Sequence, residues 1–147
     1  MDITFGICGI FISLGLSILM LFSRKSIWFS NKFKWTVIIA FLVVGVFGLS
    51  FSKLNNYRFI FYSMIVVVIC FTTEKFFRFL SIKIHGRDFY LYLKGSNEIT
   101  QSFFPLKTNK HIRATDVIFS LVLLFEILGL SAFGAVLFGH DNLWNKF

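Results

Sequence analysis

The chain has 147 residues, 56% of them hydrophobic and 20% aromatic with 22 Phe, and only 15% charged. Soluble domains carry about 25% charged residues, so a water-soluble globule of this length, which would have to hide the whole apolar excess, is excluded. The formal net charge of +8 would suggest nucleic acid on a soluble surface, but the Lys and Arg residues fall almost entirely between long apolar blocks, and no nucleic-acid partner is expected.

The first block, Ile3 to Phe22, runs 20 residues without a charge. It follows Met1-Asp2 with neither a basic leader nor a small-residue cleavage site, so it is expected to be retained as a span. Trp35 to Ser52 adds 18 residues, Phe59 to Thr73 adds 15, and Val117 to Gly139 adds 23 interrupted only by Glu126. A hydrocarbon layer of ~30 Å takes about 20 helical residues. The third block falls short, but Phe76, Phe77, Phe79 and Leu80 continue it while Lys75 and Arg78 reach toward the headgroups. The pattern predicts an all-α integral membrane protein with four transmembrane helices, at about 3–22, 35–52, 58–80 and 116–139, forming a single membrane domain.

Orientation follows from the cations. Arg24, Lys25, Lys32 and Lys34 lie between the first two blocks, and Lys75, Arg78, Lys83, Arg87, Lys94, Lys107, Lys110 and Arg113 between the last two, which makes twelve of the 15. Short basic loops stay cytoplasmic, so both termini are expected on the other side, with Asp2, Lys53, Arg58, Asp141 and Lys146. Trp28, Trp35 and Trp144 fit interfacial anchors. A multi-pass cell-membrane protein is expected, and the Phe-, Ile-, Lys- and Asn-rich usage suits a bacterial inner membrane.

Between the third and fourth spans, residues 74–115 form the one cytoplasmic excursion. From Glu74 to His85 most apolar residues fall on one helical face, with Glu74, Arg78, Ser81 and His85 opposite, which predicts an amphipathic extension of the third helix along the membrane surface. Phe89-Tyr-Leu-Tyr-Leu93 then alternates with period two, Lys94-Gly-Ser-Asn-Glu98 has turn composition, and Ile99 to Phe104 is apolar, which predicts a small β-hairpin. Pro105 punctuates the chain before the last basic run.

Catalytic signatures are missing: there is no phosphate-binding glycine loop, no GxSxG, no HExxH and no close carboxylate pair. His85, His111 and His140 are expected on different sides of the membrane, and Cys8 and Cys70 lie in apolar blocks without a CxxC, so no metal, disulfide or cofactor is expected. The best polar cluster is His85-Gly-Arg-Asp88, which also reads as a solvated turn. Lys107, Lys110 and Arg113 suit contact with anionic lipid headgroups at about 1 kcal/mol per cation, or serve only as the cytoplasmic topology signal.

Small residues mark helix contacts, because helices in lipid associate through close backbone approach. Gly6, Gly9, Ser13 and Ser17 share one side of the first helix, and Gly129, Ala132, Ala135 and Gly139 form a stripe on the fourth. Either stripe can serve packing within the chain or against another subunit. Glu126 lies roughly at mid-bilayer, where an ionisable group costs on the order of 2.5–3.5 kcal/mol. No Lys or Arg lies within a span to pair with it, so it is expected neutral and hydrogen-bonded to a hydroxyl or a backbone carbonyl. The reading is a non-catalytic scaffold subunit of a multi-protein envelope assembly, such as a secretion or transport machine, with the bilayer and other membrane subunits as partners. The alternatives are a proton- or ion-coupling subunit using Glu126, and a membrane enzyme or lipid-binding protein using residues 74–115.

Overall fold

The computed structural model describes residues 3–25, 30–52, 55–94, 96, 98, 99 and 111–139. The regular elements among them are all helical, and the described residues contain no strand. Two compact units are present, one comprising Met1–Phe71 with Ile127–Phe147 and the other Thr72–Glu126.

Helix α1 is built from the consecutive segments Ile3–Ile10, Phe11–Leu16 and Ser17–Phe22, the middle one a wider π turn. Residues Gly6, Gly9, Ser13, Ser17 and Leu21 along it are buried. Successive steps of four residues would drift this face around a regular α-helix, since four residues exceed the 3.6 of one turn. The wider π turn takes up that excess, and the Ser13 hydroxyl within it donates to the Ile10 carbonyl at 3.2 Å.

Helix α2, Asn31–Phe51, begins four residues before the apolar block because Ser30 caps it: the Ser30 Oγ accepts from the Phe33 N–H at 3.2 Å. Lys34, one of the cations between the first two apolar blocks, is only 3% exposed. Its ammonium donates to the carbonyls of Ser23 (2.7 Å) and Arg24 (3.1 Å) just past the end of α1. Those carbonyls have no helical partner and carry the negative end of the helix dipole, so a cation satisfies both needs. Farther along α2, a side chain at Gly45 would run into Ile65, and one at Gly48 into the Phe61 ring. The core of this unit joins Ile38, Val67, Val68 and Phe71, with Ile12, Leu16, Met20 and Phe41 packed around them.

Helix α3, Asn55–His85, is 31 residues long, about 46 Å at 1.5 Å per residue. The expected extension of the third helix is therefore present as one continuous helix. It stops at Gly86, whose φ of 68° is the left-handed conformation that ends helices and that glycine adopts without strain. Its last turns are amphipathic in the opposite sense to a surface helix. Glu74 and Ser81 are buried, whereas Phe76, Phe79, Ile82 and Ile84 are 57%, 64%, 47% and 57% exposed. Glu74 and Ser81 turn inward while these aromatic and aliphatic residues face outward beside the exposed Arg78 and Lys83, and an exposed apolar surface of this kind suits a lipid surrounding better than water.

The expected hairpin is not formed by the described residues. The alternation itself is real, since Phe89 and Leu91 are buried whereas Tyr90 and Tyr92, which alternate with them, are half-buried. The backbone N–H groups, however, bond to side chains: Tyr90 to Asp116 Oδ1 (3.2 Å), Leu91 to Glu98 Oε2 (3.0 Å) and Tyr92 to Ser120 Oγ (2.8 Å). Side chains, those of Asp116, Ser120 and Glu98, thus take the place of a pairing strand. Most of the expected returning arm, 99–104, lies outside the described residues.

Helix α4, Ala114–Gly139, buries Asp116, Phe119, Ser120, Leu123, Ile127, Ser131, Gly134 and Phe138. Their spacing of one, three or four residues traces a single helical face.

Candidate functional site

Asp116 organises the richest polar cluster. It occupies the third position of α4, and its Oδ2 accepts from the backbone N–H of Arg113 at 2.8 Å, the half of a capping box that closes a helix N-terminus. The same carboxylate takes Arg87 Nη2 at 2.8 Å and Nη1 at 3.5 Å, as well as the Tyr90 N–H. Fully buried, it is held by four donors, and the charge of Arg87 balances its own.

Arg87 in turn donates to the carbonyls of Asp88 (2.9 Å) and His111 (3.3 Å) and lies over the Tyr90 ring at 4.7 Å. Tyr90 meets the His111 ring edge-on. Arg78 pairs with Asp88 at 3.4 Å, and Lys75 with Glu74 at 3.1 Å. The tetrapeptide His85-Gly-Arg-Asp88, expected to be a polar cluster or a solvated turn, is thus part of an interlocked junction. Its charges are tied to α3 and α4.

His85 and Arg113 form an unusual pair. Arg113 Nη1 lies 2.6 Å from His85 Nδ1, and His85 Nε2 lies 2.9 Å from Thr115 Oγ1. A guanidinium only donates. The Nδ1 atom must therefore be the acceptor, which leaves the proton of a neutral ring on Nε2, facing the Thr115 hydroxyl. Lys107 and Lys110, grouped with Arg113 as anionic-lipid contacts, lie outside the described residues.

Glu126 finds a hydroxyl partner in Thr73, with 2.7 Å between Thr73 Oγ1 and Glu126 Oε1. The other oxygen, Oε2, is buried and takes no hydrogen bond from the described residues. Thr73 is not singled out by the sequence pattern as that hydroxyl. The lost signal was its place at the end of the third block, which is an interior position of the 31-residue helix α3.

Of the small residues, Gly6, Gly9, Ser13 and Ser17 lie on the buried side of α1, and a side chain at Gly9 would overlap the Phe59 ring. The α4 stripe is placed differently. Gly129 has open space around the position of a Cβ, Ala132 is exposed and Ala135 half-buried. Within this chain the buried positions on that half of α4 are Ser131, Gly134 and Phe138. A side chain at Gly134 would overlap the Tyr62 ring, Tyr62 donates to the Leu130 carbonyl at 3.1 Å, and Phe138 packs on Phe59 and Tyr62. A wheel cannot choose between two faces that both carry small residues; the bulk of Phe59 and Tyr62 opposite decides. Gly139 ends the helix. The glycines Gly45, Gly48 and Gly134 are contact positions that sequence reading missed, although the i, i+3 spacing of the first two was a usable signal.

Among the described residues, no three His, Cys, Asp or Glu side chains come together to hold a metal ion. Asn31–Phe51, Tyr57–His85 and Ala114–Phe138 are long and apolar enough to cross a membrane, and Gly6–Phe22 is a shorter apolar helix. These features define the class: an all-helical membrane protein. Comparison with family models, curated proteins and solved structures finds no match to this chain.

Proposed function

We propose that the chain is a non-catalytic membrane subunit that acts by packing against other proteins of an envelope assembly, such as a secretion or transport machine. In this reading α1 is the fourth span. Its three segments together cover residues 3–22, a length that suffices for a ~30 Å layer. The chain then has both termini on the non-cytoplasmic side, with a bacterial inner membrane as its setting.

The observation that carries the reading is the unused face of α4. Gly129 and Ala132 present small residues to the outside while Ser131, Gly134 and Phe138 do the packing within the chain. In lipid a small-residue face favours a neighbouring helix, because backbones approach closely there. Gentle solubilisation from the native membrane, followed by identification of copurifying proteins, tests the proposal. Stoichiometric partners are expected, and recovery of the monomer alone would count against a scaffold role.

A second reading, proton or ion coupling through Glu126, has one specific observation behind it. Oε2 is buried and takes no hydrogen bond from the described residues; a buried polar atom left so is costly, and use of the group in function would account for its retention. The variant Glu126→Gln separates the readings. It keeps shape and hydrogen bonding but cannot ionise, so intact assembly with lost transport activity would favour coupling.

A further inference from the structure

We propose that Arg113, positioned by His85, is a receptor for a phosphate group at the membrane surface. The first ground is the pairing of charges at the junction. Arg87 is matched by Asp116, Arg78 by Asp88 and Lys75 by Glu74, but the side chain of Arg113 meets a neutral imidazole. Among the described residues it makes no ion pair with a carboxylate. Its positive charge is held in place, and no described carboxylate compensates it.

The second ground is donor geometry. A guanidinium has five N–H donors, and the described contacts use one of them, on His85 Nδ1. The ring is itself fixed from the other side by Thr115 Oγ1. A steadied fork with free N–H groups is the arrangement that takes two oxygens of a phosphate at once. The third ground is location. Arg113 directly precedes Ala114–Phe138, a helix apolar enough to cross the bilayer, so it stands at headgroup level. It is exposed there, where lipid phosphodiesters and soluble phosphate both have access.

The ligand chemistry is thus a phosphate monoanion or diester, bound by Arg113, with His85 as a positioning residue. The test reconstitutes the full chain in nanodiscs of equal phosphatidylglycerol and phosphatidylcholine, re-extracts it gently and measures the copurifying lipids by mass spectrometry. Binding of inorganic phosphate to the protein in a phosphate-free maltoside detergent forms the second arm. Thermal unfolding confirms that each variant is folded.

Wild type should be enriched in phosphatidylglycerol. Arg113→Gln should lower the enrichment about fivefold, the equivalent of the roughly 1 kcal/mol that one cation contributes near an anionic surface. The variant His85→Leu leaves every charge of the neutral-ring state in place, so a loss of enrichment there reports positioning, and His85→Gln, which keeps an acceptor, should restore it. Phosphate binding that Arg113→Gln abolishes, without lipid enrichment, supports the receptor with a soluble ligand. Equal lipid enrichment in wild type and Arg113→Gln, or neither enrichment nor phosphate binding in wild type, would overturn the proposal.

Discussion

Asp116 and Glu126 stand ten residues apart on one helix and differ in how their oxygens are used. Each Asp116 oxygen accepts more than one donor, whereas Glu126 Oε1 has Thr73 and its Oε2 has no donor among the described residues. The consequences of substitution differ accordingly. Replacing Arg87 with Met leaves the fully buried Asp116 charge without its counter-ion, and removing one partner of a buried pair costs about 3 kcal/mol or more. Arg87→Met should therefore lower the thermal unfolding midpoint in detergent markedly, and a midpoint equal to wild type would refute the view that this ion pair holds the junction together. Glu126→Gln preserves the Thr73 contact and should leave the midpoint within about 0.5 kcal/mol of wild type. Thr73→Val, which removes the hydroxyl with little change of shape, should destabilise by about 1 kcal/mol through the lost hydrogen bond.

At the scale of elements, the glycines of α4 provide a matched pair. An added methyl at Gly134 meets the Tyr62 ring, while one at Gly129 meets nothing within 4 Å. Overpacking costs about 1–3 kcal/mol, and removing a glycine from a helix interior returns up to about 1 kcal/mol. Gly134→Ala should thus destabilise the isolated chain and Gly129→Ala should not, as read by unfolding of the purified protein. If instead Gly129→Leu and Ala132→Leu leave copurification of partners intact, the outer face of α4 is lipid-facing and the proposed assembly surface lies elsewhere.

For the whole molecule, the topological expectation is testable without any knowledge of partners. Lys94 is exposed at the end of the segment that follows α3, on the side assigned to the cytoplasm by the basic loops. In a background lacking Cys8 and Cys70, Lys94→Cys should resist a membrane-impermeant thiol reagent in intact cells and react after permeabilisation. Labelling from outside would reverse the orientation. Cys8 is exposed and Cys70 buried, so replacing Cys70 asks more of the fold and is best done with Ala or Ser checked by unfolding.

The helical membrane class was legible in the chain itself, because a bilayer demands long uncharged blocks and admits only structures that satisfy their own backbone. So were the second and fourth long helices, the run-on of the third, and the oddity of Glu126. Tertiary structure decided what local pattern leaves open. A period-two stretch at Phe89 to Leu93 specifies alternate burial but not its partner, and here the side chains of Asp116, Ser120 and Glu98 take the N–H groups that a strand would have taken. A wheel shows that α4 has small residues on two faces, but only the position of Phe59 and Tyr62 selects Gly134 over Gly129. Charge pairing is likewise non-local. Arg87 and Asp116 stand 29 residues apart, and their sequence neighbourhoods carry no sign that they meet.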